Sequence, residues 1–423
     1  MRLPLDDRAP RGVAVKALVL MGLIACGERA TPAPKARVAR NAVVILVDTL
    51  RADAVDDART PAIDGIADDG QVVHSAWAPG TWTVPSVISL FTGMPVREHG
   101  WDLPTGRIGR YPPVPAVPTL AEVLHQAGIE TRGWTSNPYL DAKLGFGRGF
   151  DSWNRSADPQ IPKQFARDVA SWGDGRRHFA WLHFIGPHSP LDPSPEARQR
   201  WDLADTWFTH HGGLGVGYPR RGEPMGVRAA YPKAYRAVIE DTDVRVGAVL
   251  DALAPYRDDT LVVFVSDHGE LLGEHHQFGH GHWVWQPLIH VPFIVSGPGA
   301  PRLPDPVSTA ALPDVVTTAM GIAHNWVTTL DPPTELVTQR EGRLAVSPDG
   351  RYTGVWDQDG KLSVYDLQAD PGELVPLSDD HGVRAARRAW EHRVPAGKPA
   401  GLQVKLDDQT VQALQQIGYL GGK

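Results

Sequence analysis

The firmest constraint in this chain is AVVILV, residues 42–47, an unbroken run of apolar and mostly β-branched side chains that stops at Asp48. A strand with one wet face alternates apolar and polar residues. An uninterrupted run belongs where both faces are covered, in the middle of a parallel sheet between layers of helices. HFAWLHFI, TLVVFVS and VPFIVS read as further strands, and AYRAVIEDTDVRVGAVLDAL, between the first two of these, reads as a helix. The alternation predicts an α/β fold: a large, mostly parallel sheet sandwiched by helices. Two shorter helices carry their own punctuation. TPAIDGIADDG offers Thr60 as N-cap, Pro61 as first helical residue and Gly70 as stop, while TLAEVLHQAG sets Leu120, Val123, Leu124 and Ala127 on one face ahead of Gly128.

Residues 188–231 are rich in Pro, Gly and Trp and show no period. They read as a long loop insertion near the strand ends, where such loops shape substrate pockets. After Asn325 the texture changes. RLAVSPDGRYTGVWDQDGKLSVYDL alternates around Asp-Gly turns, as antiparallel hairpins do, and DDQTVQALQQIGYLGG closes the chain with a helix and a Gly stop. The expected organisation is a main domain over 41–325 and a small C-terminal α+β subdomain over 326–423.

The chain's sole cysteine is Cys26, which excludes an intrachain disulfide, a cysteine metal cluster and a catalytic thiol in the main domain. A basic start (Arg2, Arg8, Arg11, Lys16) leads into ALVLMGLIAC, an apolar run of signal-peptide length that is too short to span a bilayer. LIAC fits a lipobox, so residues 1–26 read as a lipoprotein signal ending in a lipid-bearing Cys26. Residues 27–40 then read as a Pro/Ala-rich tether. The other reading is a buried N-terminal helix with a chance cysteine. The lipobox places the domain on the cell envelope, at a periplasmic or extracellular face, with the membrane as partner. A formal net charge of −7 lacks the basic footprint of a nucleic-acid binder.

Two strand-end clusters carry chemistry. VILVDTLRAD leaves Asp48 beyond one strand, and VVFVSDHGE leaves Asp267 and His268 beyond another. Ligands of open α/β sheets collect at the carboxyl ends of strands, so the clusters can converge on one site. Two carboxylates and an imidazole suit one divalent cation: Ca, Mn, Zn or Mg. In GTWTVPSVISLFTG the residues after Pro85 look helical, with Val87, Leu90 and Phe91 on one face and Gly93 ending the run, which sets Thr83 at or just before a helix N-terminus. There it is either a simple N-cap or a hydroxyl held against the metal, activated to attack an anionic ester.

These segments, in this order, resemble the sulfatase family of the alkaline phosphatase superfamily across nearly the whole mature chain. NAVVILVDTLRAD, GTWTVPSVISLFTG, WLHFIGPHSPLDP, VVFVSDHGELLGEH, FGHG, HVPFIVSGPG and VYDLQADPGE carry the match. The resemblance implies the family's large α/β sandwich with a small C-terminal subdomain. It also implies metal ligands Asp48, Thr83, Asp267 and His268, with Thr49 standing where many sulfatases have a second Asp. The family's nucleophile motif, Cys or Ser followed by any residue and then Pro-Ser-Arg, reads here Thr83, Val84, Pro85, Ser86, Val87. Only Cys or Ser becomes formylglycine, so no formylglycine is expected and Thr83 acts as a plain hydroxyl, as in related phosphodiesterases and phosphoglycerol transferases.

By the same resemblance His188 in GPHSP is an active-site imidazole, His280 in FGHG stands where the family places a basic group, and Asn137 replaces a Lys-containing segment. His275, His276 and His282 crowd His280 in sequence. The expected activity is metal-dependent hydrolysis or transfer of phosphate-type esters, with sulfate esters the rival. The substrate is a small molecule or a glycan or lipid-headgroup ester. The alternative of another class is a non-catalytic binding protein of the same fold.

Overall fold

The computed structural model describes residues 37–101, 110–111, 113–204, 217–219, 224–331, 336–340, 343–347, 349–377, 404–405 and 407–416. The signal segment, Cys26 and most of the expected tether lie outside these residues. From Arg37 onward the chain forms one compact unit.

Its centre is a seven-stranded sheet in the order Gly70–Val72, Phe293–Ser296, Thr260–Val265, Asn41–Val47, His178–Phe184, Glu130–Thr135, Ser152–Arg155. The five strands from Thr260–Val265 to Ser152–Arg155 run parallel, and the two at the other edge run antiparallel to their neighbours. Asn41–Val47 is flanked by parallel partners on both sides, with Leu46 opposite Val265 and Val47 opposite Phe184. The uninterrupted apolar run follows from this. Val44, Leu46, Trp181 and Val263 enter the core on one face of the sheet, and Val43, Ile45, Leu182 and Phe264 the core on the other. Both faces are covered by core, which is why Ala42 to Val47 are all apolar.

The first core is closed by helices Thr83–Thr92, Leu120–Gln126 and Leu312–Ala319 through Val87, Leu90, Leu124 and Val315. The second is closed by Pro61–Asp68, Ile161–Val169 and Met225–Leu253 through Ile63, Phe165 and Val246. Thr119 caps its helix in a reciprocal capping box with Glu122, and Gly93 ends Thr83–Thr92 at φ 66°.

Three local expectations are corrected. Gly70 does not stop the helix that begins at Pro61; Asp69 caps it, and Gly70 opens an edge strand that lies too close to Val295 and Ser296 for a Cβ. Thr60 does stand at the N-cap ahead of Pro61 as expected, with its hydroxyl donated to Asp64 and no backbone N–H accepted. The long helix starts at Met225, before the expected residue, and carries Pro232 inside it; residues 195–200 are also helical, so only part of 188–231 is loop.

A second, four-stranded antiparallel sheet follows the chain from Leu336–Arg340 through Arg343–Ser347 and Tyr352–Trp356 to Leu362–Asp366, turning at Asp349-Gly350 and Asp359-Gly360. The helix Asp408–Gln416 lies beside the main sheet's flank: Arg155 donates to Thr410 Oγ1 at 3.2 Å, and Lys143 pairs with Asp407 at 2.5 Å. Its expected Gly stop is outside the described residues. No helix among the described residues is long and apolar enough to cross a membrane.

Because the central strands run the same way, their carboxyl ends share one edge. Asp48, Asn137, His188, Asp267 and His268 all follow those ends directly or within a short turn.

Candidate active site

Asp48, Asp267 and His268 are fully buried and bring their ligand atoms within 4.8 Å of one another. His268 Nε2 is 3.6 Å from Asp48 Oδ1 and 3.6 Å from Asp267 Oδ2. The atoms that meet here are the ones left over. Asp267 Oδ1 accepts the backbone N–H groups of Thr49 (3.2 Å) and His268 (2.9 Å). His268 Nδ1 is 2.9 Å from the Gly269 carbonyl, which makes Nδ1–H the donor and turns the Nε2 lone pair inward. Asp48 Oδ1, Asp267 Oδ2 and His268 Nε2 have no hydrogen-bond partner among the described residues. Buried lone pairs of this kind are costly unless something positive sits between them, and two oxygens with an imidazole nitrogen fit a divalent cation.

The protonation pattern has the same cause. Burial and the nearby Asp48 charge push Asp267 well above the usual carboxylate range. Asp48 is disfavoured by burial too, yet the His183 hydrogen bond and the neighbouring imidazoles hold it well below that range. Burial drives His268 well below its ordinary value, so it stays a neutral ligand. Two like charges this close cannot both ionise cheaply without a counter-ion.

The second oxygen of Asp48 is a hub for donors. Oδ2 accepts Asn137 Nδ2 at 2.8 Å and Thr83 Oγ1 at 3.3 Å, and lies 3.2 Å from His183 Nε2. Asn137 Nδ2 also reaches Thr83 Oγ1 at 3.3 Å, and its Oδ1 accepts the Tyr139 N–H at 2.9 Å, which fixes the orientation of the amide. Thr83 is the first residue of its helix, behind an extended Trp82 that is the N-cap and makes no side-chain cap bond. Thr83 is therefore not the N-cap. Its hydroxyl points across to Asp48, at the end of the helix where the dipole favours negative charge.

On the other side stand two more imidazoles. His280 packs its ring 4.4 Å from that of His268 and 5.0 Å from that of His188, centre to centre. Its Nδ1 is 3.1 Å from Glu270 Oε1 and 3.2 Å from the Tyr218 hydroxyl, which donates to Glu270 Oε2 at 3.0 Å. Burial lowers His188 and brings His280 down to about 4, whereas it raises Glu270 to about 8. The crowding of histidines in the sequence resolves in space. His275 stacks on Trp285 at 3.8 Å and His282 leans on Trp283, leaving His280 as the one in the imidazole cluster.

The local backbone explains why these groups hold still. Thr49 takes φ 58°, and its carbonyl accepts the Tyr235 hydroxyl, which in turn accepts the Arg51 N–H. Gly269 donates to the Leu288 carbonyl, and a Cβ there would sit 2.1 Å from the Pro287 carbonyl oxygen. Only glycine lets the loop after Val265 lie flat on that segment and present His268 and Glu270 inward.

The structure thus brings together all the sequence-derived candidates: Asp48, Thr83, Asn137, His188, Asp267, His268 and His280. It adds His183, Glu270 and Tyr218. His183 sits in a strand that reads as plain core, and Glu270 follows the candidate ligand pair in SDHGE, where its nearness to that pair in sequence was the one signal of it.

The Sulfatase family model matches residues 40–325, two-thirds of the chain. The chain belongs to the sulfatase family. Among curated relatives, the uncharacterised sulfatase YidJ of Escherichia coli is 23% identical over 405 residues, covering 76% of this chain and 78% of its own length. The choline-sulfatase of Rhizobium meliloti is 29% identical over 35% of this chain and 33% of its own. Solved structures of the same fold include the phosphonate monoester hydrolase of Silicibacter pomeroyi (TM-score 0.68, 19% identity, 84% of this chain and 95% of that one) and that of Agrobacterium radiobacter (0.66, 18%, 83% and 94%). A 2-O GAG sulfatase also aligns, with TM-score 0.63 and 19% identity over 84% of this chain and 91% of its own. The chain is accordingly a sulfatase-family ester hydrolase with a candidate Asp/Asp/His metal site.

Proposed function

We propose that this enzyme cleaves phosphate-type esters with Thr83 Oγ1 as the nucleophile. The observation that carries the reading is the placement of that hydroxyl, 3.3 Å from both Asp48 Oδ2 and Asn137 Nδ2 at a helix N-terminus. A threonine has no route to formylglycine, so what attacks is the alcohol itself. That two solved structures of this fold are named phosphonate monoester hydrolases supports phosphorus as the centre attacked.

Asp48, Asp267 and His268 would hold a divalent cation, which when bound would supply positive charge favouring the ionised hydroxyl and the charge growing on the ester oxygens. The chain's own groups do the rest. Asn137 donates to Thr83 Oγ1 and steadies negative charge on it, while the Thr83 proton is directed to Asp48 Oδ2. The Thr83 Oγ–P bond forms as the bond from phosphorus to the leaving oxygen breaks, and that oxygen takes a proton from whichever of His188 and His280 has gained one from solvent on binding the anionic ester. Both imidazoles are neutral in the free site, and an anionic ester beside them raises their pKa. Water, or an acceptor alcohol, then attacks phosphorus and gives its proton to the same imidazole, while the Thr83 Oγ–P bond breaks and the oxygen recovers its proton from Asp48 Oδ2.

Cell-envelope localisation through lipid on Cys26 and a glycan or lipid-headgroup ester as substrate complete the proposal. Cys26→Ala should release the protein from the membrane fraction. The test of the chemistry is a panel of aryl phosphodiesters, phosphonate monoesters, phosphomonoesters and sulfates with Ca²⁺, Mn²⁺, Zn²⁺ or Mg²⁺ added. Phosphorus esters should turn over, Thr83→Ser should keep part of the rate and Thr83→Ala none. Turnover of sulfates alone, or full rate in Thr83→Ala, overturns the reading; no turnover of any ester alongside cation binding would return the chain to the binding role.

A further inference from the structure

The turn that carries Thr83 is held from a distance of 260 residues along the chain. Three successive residues of the strand Leu336–Arg340 dock on it. Thr338 Oγ1 donates to the Ala78 carbonyl at 2.5 Å, and the Gln339 N–H donates to the Pro79 carbonyl at 3.4 Å. The Arg340 guanidinium lies over the Trp82 ring, 5.2 Å from its centre. Arg340 Nε then donates to the Gly281 carbonyl at 2.5 Å, next to His280. All three side chains are buried, Arg340 to 2% exposure. The loop at Gly281 itself comes up against Trp82, whose Cβ lies 3.6 Å from where a side chain on that glycine would begin.

We propose that Arg340 is a positioning residue of the active site: one planar cation, delivered by the second sheet, clamps the Trp82–Thr83 turn to the loop that carries His280. The inference rests on the reading of Thr83 and His280 as reacting groups. Arginine suits the task because its flat face stacks on an indole while an edge N–H still donates in plane. A lysine offers no such face and no fixed donor. The bracket sets the spacing between nucleophile and imidazole, and small errors in such spacing are expensive in rate.

The test uses the full-length enzyme and whichever ester it hydrolyses. Arg340→Lys keeps the charge and loses the planar clamp; Arg340→Met keeps much of the stem and loses both. Positioning predicts that each lowers kcat by about 100-fold while KM moves by less than about threefold. In a double-mutant cycle with His280→Gln, the pair should cost no more than the worse single substitution, because both disable the same step. A merely structural role predicts losses that multiply and that follow the fall in thermal midpoint. Loss confined to KM, an Arg340→Lys enzyme with full kcat, or multiplicative losses overturns the proposal. Arg340→Lys keeps the test readable if Arg340→Met fails to fold. Failure of the nucleophile reading shows separately, as full rate in Thr83→Ala, whatever the Arg340 variants do.

Discussion

Asp48, Asp267 and His268 stand on the ends of two neighbouring parallel strands, whereas His280 rides a loop braced by Glu270, Tyr218 and a strand from the second sheet. On the strand-end side the sheet's hydrogen bonds set the distances, and moving one ligand means breaking the register of Leu46 against Val265. On the loop side the distances depend on side-chain contacts between segments far apart in sequence. The difference teaches which half of the site tolerates change. A rigid strand-end cluster suits a candidate cation site, which needs fixed distances, and a braced loop suits contacts that adapt to what is bound.

The largest effect expected from this contrast is on the strand ends. Asp48→Ala and Asp267→Ala should each cost on the order of 10³-fold in kcat and remove stoichiometric cation binding, read by kinetics and metal analysis. A loop-side substitution that costs more than these would break the comparison. Next comes Gly269→Ala, which forces a Cβ to within 2.1 Å of the Pro287 carbonyl oxygen. It should destabilise the fold by about 3 kcal/mol in denaturant melts. A near-neutral result would show that the two segments are looser than their packing implies.

On the loop side, Glu270→Gln keeps the volume but weakens the grip on His280 Nδ1, and should lower kcat by about tenfold with cation affinity unchanged. A change in cation affinity instead would merge the two halves. The smallest effect is a pH dependence. Glu373 is buried, accepts the Gln286 N–H at 2.7 Å, and burial raises it to about 8. Since its folded pKa exceeds the unfolded value, its contribution to stability is full below the ordinary carboxylate pKa and is lost as pH rises through about 8. Glu373→Gln should flatten that fall by about 1 kcal/mol or more between mildly acidic and mildly basic pH. A slope equal to that of the parent protein would refute the assignment.

The same contrast accounts for what the sequence disclosed. Asp48, Asp267 and His268 were legible because a polar residue ending a long apolar run has few places to be other than a strand's carboxyl end. Thr83 and Gly93 were legible as the two ends of one helix. His183 was not, because in HFAWLHFI a histidine on a buried strand looks like any other core position, and only the pairing of His178–Phe184 with Asn41–Val47 brings it to Asp48. Arg340 was hidden by distance: nothing local in LVTQR points to Trp82 or Gly281. The start of the long helix was masked by Pro232, which reads as a breaker but is accommodated inside Met225–Leu253. The reversal of Phe293–Ser296 was unreadable too, since an apolar run carries no sign of its direction.

The account stands on Thr83 as the group that bonds to the substrate. The most direct measurement is mass spectrometry of the intact enzyme and its peptides, acid-quenched during turnover of a slow phosphorus ester. A phosphorus-bearing adduct on Thr83 of the GTWTVPSVISLFTG segment, absent from Thr83→Ala, is the predicted result. Continued turnover with Thr83 unmodified, or an adduct that maps to another residue, would contradict it.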